Sequence, residues 1–244
     1  MSLKISRVAA LAATVGVVGT LSVAATPASA ASKITFKNWV VSGSVTPKLL
    51  NEQVTLPPGS TFNGYSLIEA PSLENITGTL TGTVFVPPFT AKLKLLGLVP
   101  TEVGLTFTQV GEPEGTMASV PHSNCTGPGS KFGPGSAECV ILNVPTKANL
   151  GITMLDSSLG LPVGQLEVGA TTKCVTAEPI TFPLTTYLTL LEVISTGPQF
   201  KGTVTLPPIK CEGLEGVALG LALTAVMSGP ENPFALTIAP PPKA

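Results

Sequence analysis

Along residues 76–86 apolar and polar positions alternate almost strictly. Ile76, Gly78, Leu80, Gly82, Val84 and Val86 fall on one side, and Thr77, Thr79, Thr81, Thr83 and Phe85 on the other. Successive side chains of a strand leave opposite faces, so this spacing predicts a strand with an apolar face and a threonine face. The same period sets Phe89, Ala91, Leu93 and Leu95 against Thr90, Lys92 and Lys94, and recurs in Val103, Leu105 and Phe107 and in Ala148, Leu150, Ile152 and Met154. It continues through Leu184, Thr186, Leu188 and Leu190, then Phe200, Gly202, Val204 and Leu206. Between the first two runs, Pro87 and Pro88 force a turn or corner, because proline has no N–H to give to a ladder. About a dozen such runs, punctuated by Gly and Pro, predict an all-β fold: an antiparallel β-sandwich or barrel-like sheets.

One stretch leaves the period of two. Residues 214–227 (LEGVALGLALTAVM) are rich in Ala and Leu and end at Ser228, Gly229 and Pro230, a helix stop. They predict one short C-terminal helix about 20 Å long, too short to span a bilayer and expected to lie buried against a sheet edge or barrel end. Phe234 to Ala239 then reads as a closing strand. A faint echo links residues 82–89 (GTVFVPPF) to 202–209 (GTVTLPPI), with 54–58 (VTLPP) a third fragment. It suits either two similar packed halves, 31–120 and 140–244, or a habit of ending edge strands in Pro-Pro.

The first thirty residues stand apart. Lys4 and Arg7 precede an apolar stretch over 8–25, and residues 27–30 (PASA) place small side chains where a signal peptidase reads them. This predicts a signal peptide, 1–30, cut between Ala30 and Ala31, and a secreted β domain over 31–244. An N-terminal membrane anchor is the alternative, since the stretch approaches spanning length. After cleavage 11 Lys, no Arg and 14 acidic residues remain, a formal charge of 11 − 14 = −3. Phosphate and nucleic-acid surfaces are read largely by Arg forks and basic patches, so a nucleic-acid partner is excluded. Only 11% of the chain is charged against 43% hydrophobic, which excludes a solvated disordered chain.

The cysteines Cys125, Cys139, Cys174 and Cys211 are even in number and all lie in the exported portion. In an oxidising compartment they read as disulfides, with three connectivities open. Pairing Cys125 with Cys139 is favoured, because it would staple the Gly/Pro-rich loop between them; Cys174 with Cys211 follows. A metal site is disfavoured by spacing: the single histidine, His122, has no paired CxxC beside it.

Catalytic constellations are weak. His122 and Ser123 are adjacent in sequence, an arrangement that does not normally aim both side chains at one substrate, and no GxSxG elbow occurs. Glu112 with Glu114, and Glu212 with Glu215, are carboxylate pairs of the kind glycosidases use, but both fall at turns in a chain with one Trp and two Tyr. A single aspartate, Asp156, cannot build a calcium loop. No catalytic, cofactor-binding or metal-binding residue is therefore assigned. Asn75 and Asn124 fit the glycosylation acceptor pattern.

Residues 36–44 (FKNWVVSGS), 107–115 (FTQVGEPEG), 144–154 (VPTKANLGITM) and 227–240 (MSGPENPFALTIAP) resemble segments of uncharacterised secreted proteins of actinobacteria. The resemblance implies export and a disulfide-bonded β fold and carries no residue roles. The function expected from the sequence is that of a secreted, non-enzymatic extracellular or cell-envelope protein acting through its surface; the sequence does not identify its partner, for which a cell-wall component and an apolar ligand are the candidates. The alternative is a carrier of an apolar or lipid-like ligand, in which the Gly-spaced face of 76–86 lines a hollow instead of a dry core.

Overall fold

The computed structural model describes residues 31–50, 52–72, 75–95, 99–120, 139–155, 158–161, 164–167 and 172–242. They form β1 (Ser32–Val45), β2 (Val54–Thr55), β3 (Thr61–Ser72), β4 (Asn75–Phe85), β5 (Phe89–Leu95), β6 (Val99–Gln109), β7 (Glu114–Ser119) and β8 (Cys139–Met154). There follow β9 (Ser158–Leu161), β10 (Gly164–Glu167), β11 (Lys173–Thr176), β12 (Ile180–Thr189), α1 (Leu190–Ser195), β13 (Gln199–Leu206), β14 (Ile209–Cys211), α2 (Leu214–Met227) and β15 (Gly229–Ala239). Thirteen strands share one antiparallel sheet, and β9 and β10 form a separate hairpin. The all-β reading holds, and the alternation of 76–86 lands on β4: Ile76 and Leu80 are buried while Thr77, Thr79 and Thr83 face water. The prolines 87–88 and 207–208 end β4 and β13.

β8 organises the molecule, because it is long enough to take different neighbours along its length. Its first half pairs with β7 on one edge and β12 on the other, and its second half with β6 and β11. Outward from the first half runs a curled sheet in the order β12-β8-β7-β4-β3-β1-β15-β13. Its two outermost strands, β12 and β13, come alongside each other, but no ladder of paired residues joins them and the sheet does not close into a barrel. Outward from the second half runs the smaller ribbon β5-β6-β8-β11-β14. The even-numbered side chains of β8 face inward throughout: Val140, Leu142, Val144, Leu150, Ile152 and Met154 are all buried. One inner surface therefore serves both parts.

α2 matches its predicted span and packs chiefly against β14, with further contacts to β11 and β5. Three small side chains at four-residue spacing bring it close. A Cβ on Gly216 would sit 2.9 Å from the backbone of Cys211, and one on Gly220 3.0 Å from the Ile209 carbonyl oxygen. One turn further on, the Thr224 hydroxyl accepts from the Ile209 N–H at 2.8 Å and lies 3.3 Å from the Ile209 carbonyl oxygen as a donor. The helix thus seals the free edge of β14, where an unpaired strand would otherwise invite another chain. Leu219 and Leu223 are fully buried, whereas Val217 and Leu221 on the outer face are exposed, so the helix is covered on one side only.

A second helix, α1, which the sequence reading of one helix does not include, starts at Leu190, the last residue of the alternation of 184–190. The Thr189 side chain accepts from the Glu192 N–H and the Glu192 carboxylate accepts from the Thr189 N–H, a reciprocal cap that turns the chain out of β12.

Candidate ligand cavity

The inner face of the curled sheet lines a cavity that is partly open to solvent and measures about 110 Å³. Five of the nine phenylalanines line it: Phe62, Phe107, Phe182, Phe200 and Phe234. Aliphatic side chains such as Val41, Leu80, Val144, Leu184 and Ile238 fill the wall between them. Among the described residues the polar side chains in the wall are Ser44, Gln109 and Thr146, and no charged residue contributes.

Local features hold the walls apart. Gly82 on β4 pairs with Gly64 on β3, and the Phe62 ring lies across both, 2.5 Å from where a Gly82 Cβ would stand. A side chain at either glycine would occupy the place of that ring. Phe62 packs in turn on Phe36, whose ring meets Trp39 edge-on at 4.8 Å. Phe107 is backed by Phe89, the rings nearly parallel with centroids 6.3 Å apart. Across the unjoined seam, Phe182 of β12 and Phe234 of β15 meet edge to face at 5.8 Å. The strand between them, β13, places Gly202 opposite Phe234, so no side chain there separates the two rings.

The polar side chains in the wall are engaged with the protein. Gln109 Oε1 accepts from the Val84 N–H, and its Nε2 donates to the carbonyls of Gly82 and Gly111. Thr146 donates to the Val144 carbonyl, and Ser44 Oγ accepts from Gln53. No titratable group among the described residues lines the hollow, so these residues offer it neither a general base nor an acid. The carboxyl that clearly departs from its ordinary value, Glu231, lies at the surface, where a hydrogen bond from Lys48 and the attraction of its charge lower its pKa.

Cys174 and Cys211 are bonded to each other as expected, directly opposite in the β11–β14 pair. Cys139 is buried at the start of β8 and is also disulfide-bonded, while Cys125 lies outside the described residues. Ala31 is exposed at the head of the described chain; Ala30 and the rest of the expected signal peptide lie outside it, as do His122, Ser123, Asn124 and Asp156. Glu112, Glu114 and Glu212 are exposed and none of the three lines the cavity, while Glu215 falls in the first turn of α2. Among the described residues no three His, Cys, Asp or Glu side chains gather as a metal site would require, and no helix is long and apolar enough to cross a membrane.

The Gly-spaced face of 76–86 supplies part of the wall through Leu80, Val84 and Val86, whereas Ile76 packs in the core. Phe62, Phe182 and Gln109 were not singled out by sequence, because strand periodicity marks an inward side chain without saying whether it meets another side chain or a void. No family model, curated protein or solved structure matches the chain.

Proposed function

We propose that the protein is an exported, non-enzymatic binding protein that carries an apolar ligand in the hollow of its curled sheet. The observation that carries this reading is the cavity itself. Dense packing is the rule in protein interiors, and a void lined by phenylalanine and aliphatic side chains forgoes dispersion contacts that a ligand would restore. Phenyl rings and methyl groups offer contact area and no chemistry, which suits holding a molecule and not transforming it. The Cys174–Cys211 disulfide agrees with an oxidising compartment.

Organic extraction of the protein purified from its own host, followed by mass spectrometry, tests the reading. A stoichiometric apolar molecule, lost in the cavity-filling variant Ala148→Phe, is the expected result. An empty extract from protein that also takes up no uncharged fluorophore would overturn it.

The surface reading keeps one observation in its favour. Thr77, Thr79 and Thr83 on β4 and Thr116 on β7 are exposed on neighbouring strands, with Tyr65 and Leu67 beside them on β3. Retention of the purified protein on washed cell walls, abolished by charged substitutions at Thr79 and Thr116, would move the function to that face.

A further inference from the structure

We infer that the cavity selects uncharged ligands and rejects the anionic amphiphiles, fatty carboxylates among them, that a lipid carrier would ordinarily be expected to take. The inference rests on the carrier reading and specifies its ligand class. Burying a carboxylate is costly unless a cation or several hydrogen-bond donors meet it. Among the described residues the wall provides no Lys, Arg or His.

Its neutral donors other than the Ser44 hydroxyl are committed elsewhere. Both amide hydrogens of Gln109 are directed at backbone carbonyls, and the Thr146 hydroxyl proton at the Val144 carbonyl. What remains free is acceptor capacity on Thr146 and the hydroxyl proton of Ser44, whose oxygen already receives Gln53. That is enough to tolerate one alcohol or carbonyl on a ligand and too little to stabilise an anion. The ligand class is thus a neutral hydrocarbon-rich molecule carrying at most an isolated hydroxyl or carbonyl, recognised by shape and contact.

The test uses two fluorophores that share an anilinonaphthalene skeleton: N-phenyl-1-naphthylamine, uncharged at neutral pH, and 8-anilinonaphthalene-1-sulfonate. Displacement by dodecan-1-ol and by dodecanoate at pH 8 gives a second neutral and anionic pair. Each neutral member is expected to bind at least about tenfold more tightly than its anionic counterpart. Equal or tighter binding of the anions, with the neutral compounds also bound, overturns the selectivity and leaves the carrier reading standing.

Failure of all four compounds to bind, or equally tight binding to Ala148→Phe that retains the wild-type circular dichroism spectrum, overturns the carrier reading itself. Thr146→Lys supplies the missing cation at a half-buried wall position and is expected to raise the affinity for the sulfonate relative to the amine. An unchanged ratio in folded Thr146→Lys would show that the bound charge never meets this wall and would also overturn the inference.

Discussion

The side-chain amide of Gln109 continues the ladder of a strand to which it does not belong, accepting the Val84 N–H at 2.7 Å on Oε1. Its Nε2 donates to the Gly82 carbonyl at 3.3 Å and to that of Gly111 at 2.7 Å. β7 pairs with β4 only from Thr77 to Thr81, so the next residues of β4 have no strand on that edge. An amide presents a carbonyl and an N–H side by side, much as a peptide unit does, and one side chain therefore closes the wall beside the cavity.

Gln109→Ala should consequently cost about 1–3 kcal/mol in urea unfolding followed by Trp39 fluorescence, because partly buried backbone groups lose their partners. Gln109→Glu keeps the acceptor for Val84 but turns a carboxylate oxygen toward two carbonyls. It should also destabilise, and more at pH 7 than at pH 4, where protonation restores a donor. An unchanged midpoint in both variants would show that Val84 and Gly82 do not depend on this amide.

The contact between Phe182 and Phe234 is the aromatic bridge across the seam that β12 and β13 leave without a ladder. A double-mutant cycle with Phe182→Leu and Phe234→Leu should return a coupling of about 0.5–1.5 kcal/mol, the usual worth of an edge-to-face pair beyond its buried area. Phe182→Leu should also speed ligand release, because the ring spans the seam where β12 and β13 form no ladder. Stopped-flow dissociation of N-phenyl-1-naphthylamine at the wild-type rate would argue against that role.

How much of this was legible in the sequence follows from the range of each interaction. β5 and α2 coincide with their predicted spans, and the two faces of β4 with its alternation, because hydrophobic period is a local property. The cap between Thr189 and Glu192 is equally local, a T-x-x-E signal, but it begins where the alternation of 184–190 ends, and the sequence reading assigns no element to 191–199. Gly216, Gly220 and Thr224 show their purpose only once β14 lies against them. The hollow was the least legible feature. An inward Phe182 and an inward Ile76 obey the same period of two, and only the three-dimensional path of the sheet decides that one borders space and the other is packed.

At the surface, Lys48 Nζ donates to Glu231 Oε2 at 2.9 Å. This hydrogen bond first, and the lysine's charge second, hold the Glu231 carboxyl below its ordinary pKa. A carboxyl lowered in the folded state stabilises the fold above its unfolded pKa, and the contribution is lost as pH falls through the folded value. Both side chains are well exposed, at 61% and 70%, so the effect on stability should be small. NMR titration of Glu231 in Lys48→Ala should show its pKa rising toward the ordinary value, while added salt should raise it only in part because the hydrogen bond survives screening. No change in Lys48→Ala would remove the pair from the account.

The Cys174–Cys211 bond joins two short strands, β11 and β14, that carry the inner face on which α2 lies. Its sequence separation of 37 residues corresponds to about 3–4 kcal/mol of unfolded-state loop entropy. The double variant Cys174→Ala/Cys211→Ala should lose up to about that much, and less if the unfolded chain stays compact. The loss should begin at α2, because its anchors Gly216, Gly220 and Thr224 all rest on β14, whereas the ladders from β13 through β15 and β1 to β4 do not involve either cysteine. Hydrogen exchange should therefore show amides of residues 209–227 opening first while those of β1, β3 and β4 keep their protection. Uniform loss of protection across the whole sheet would mean that the two parts of the molecule unfold as one unit and that β8 transmits the damage along its full length.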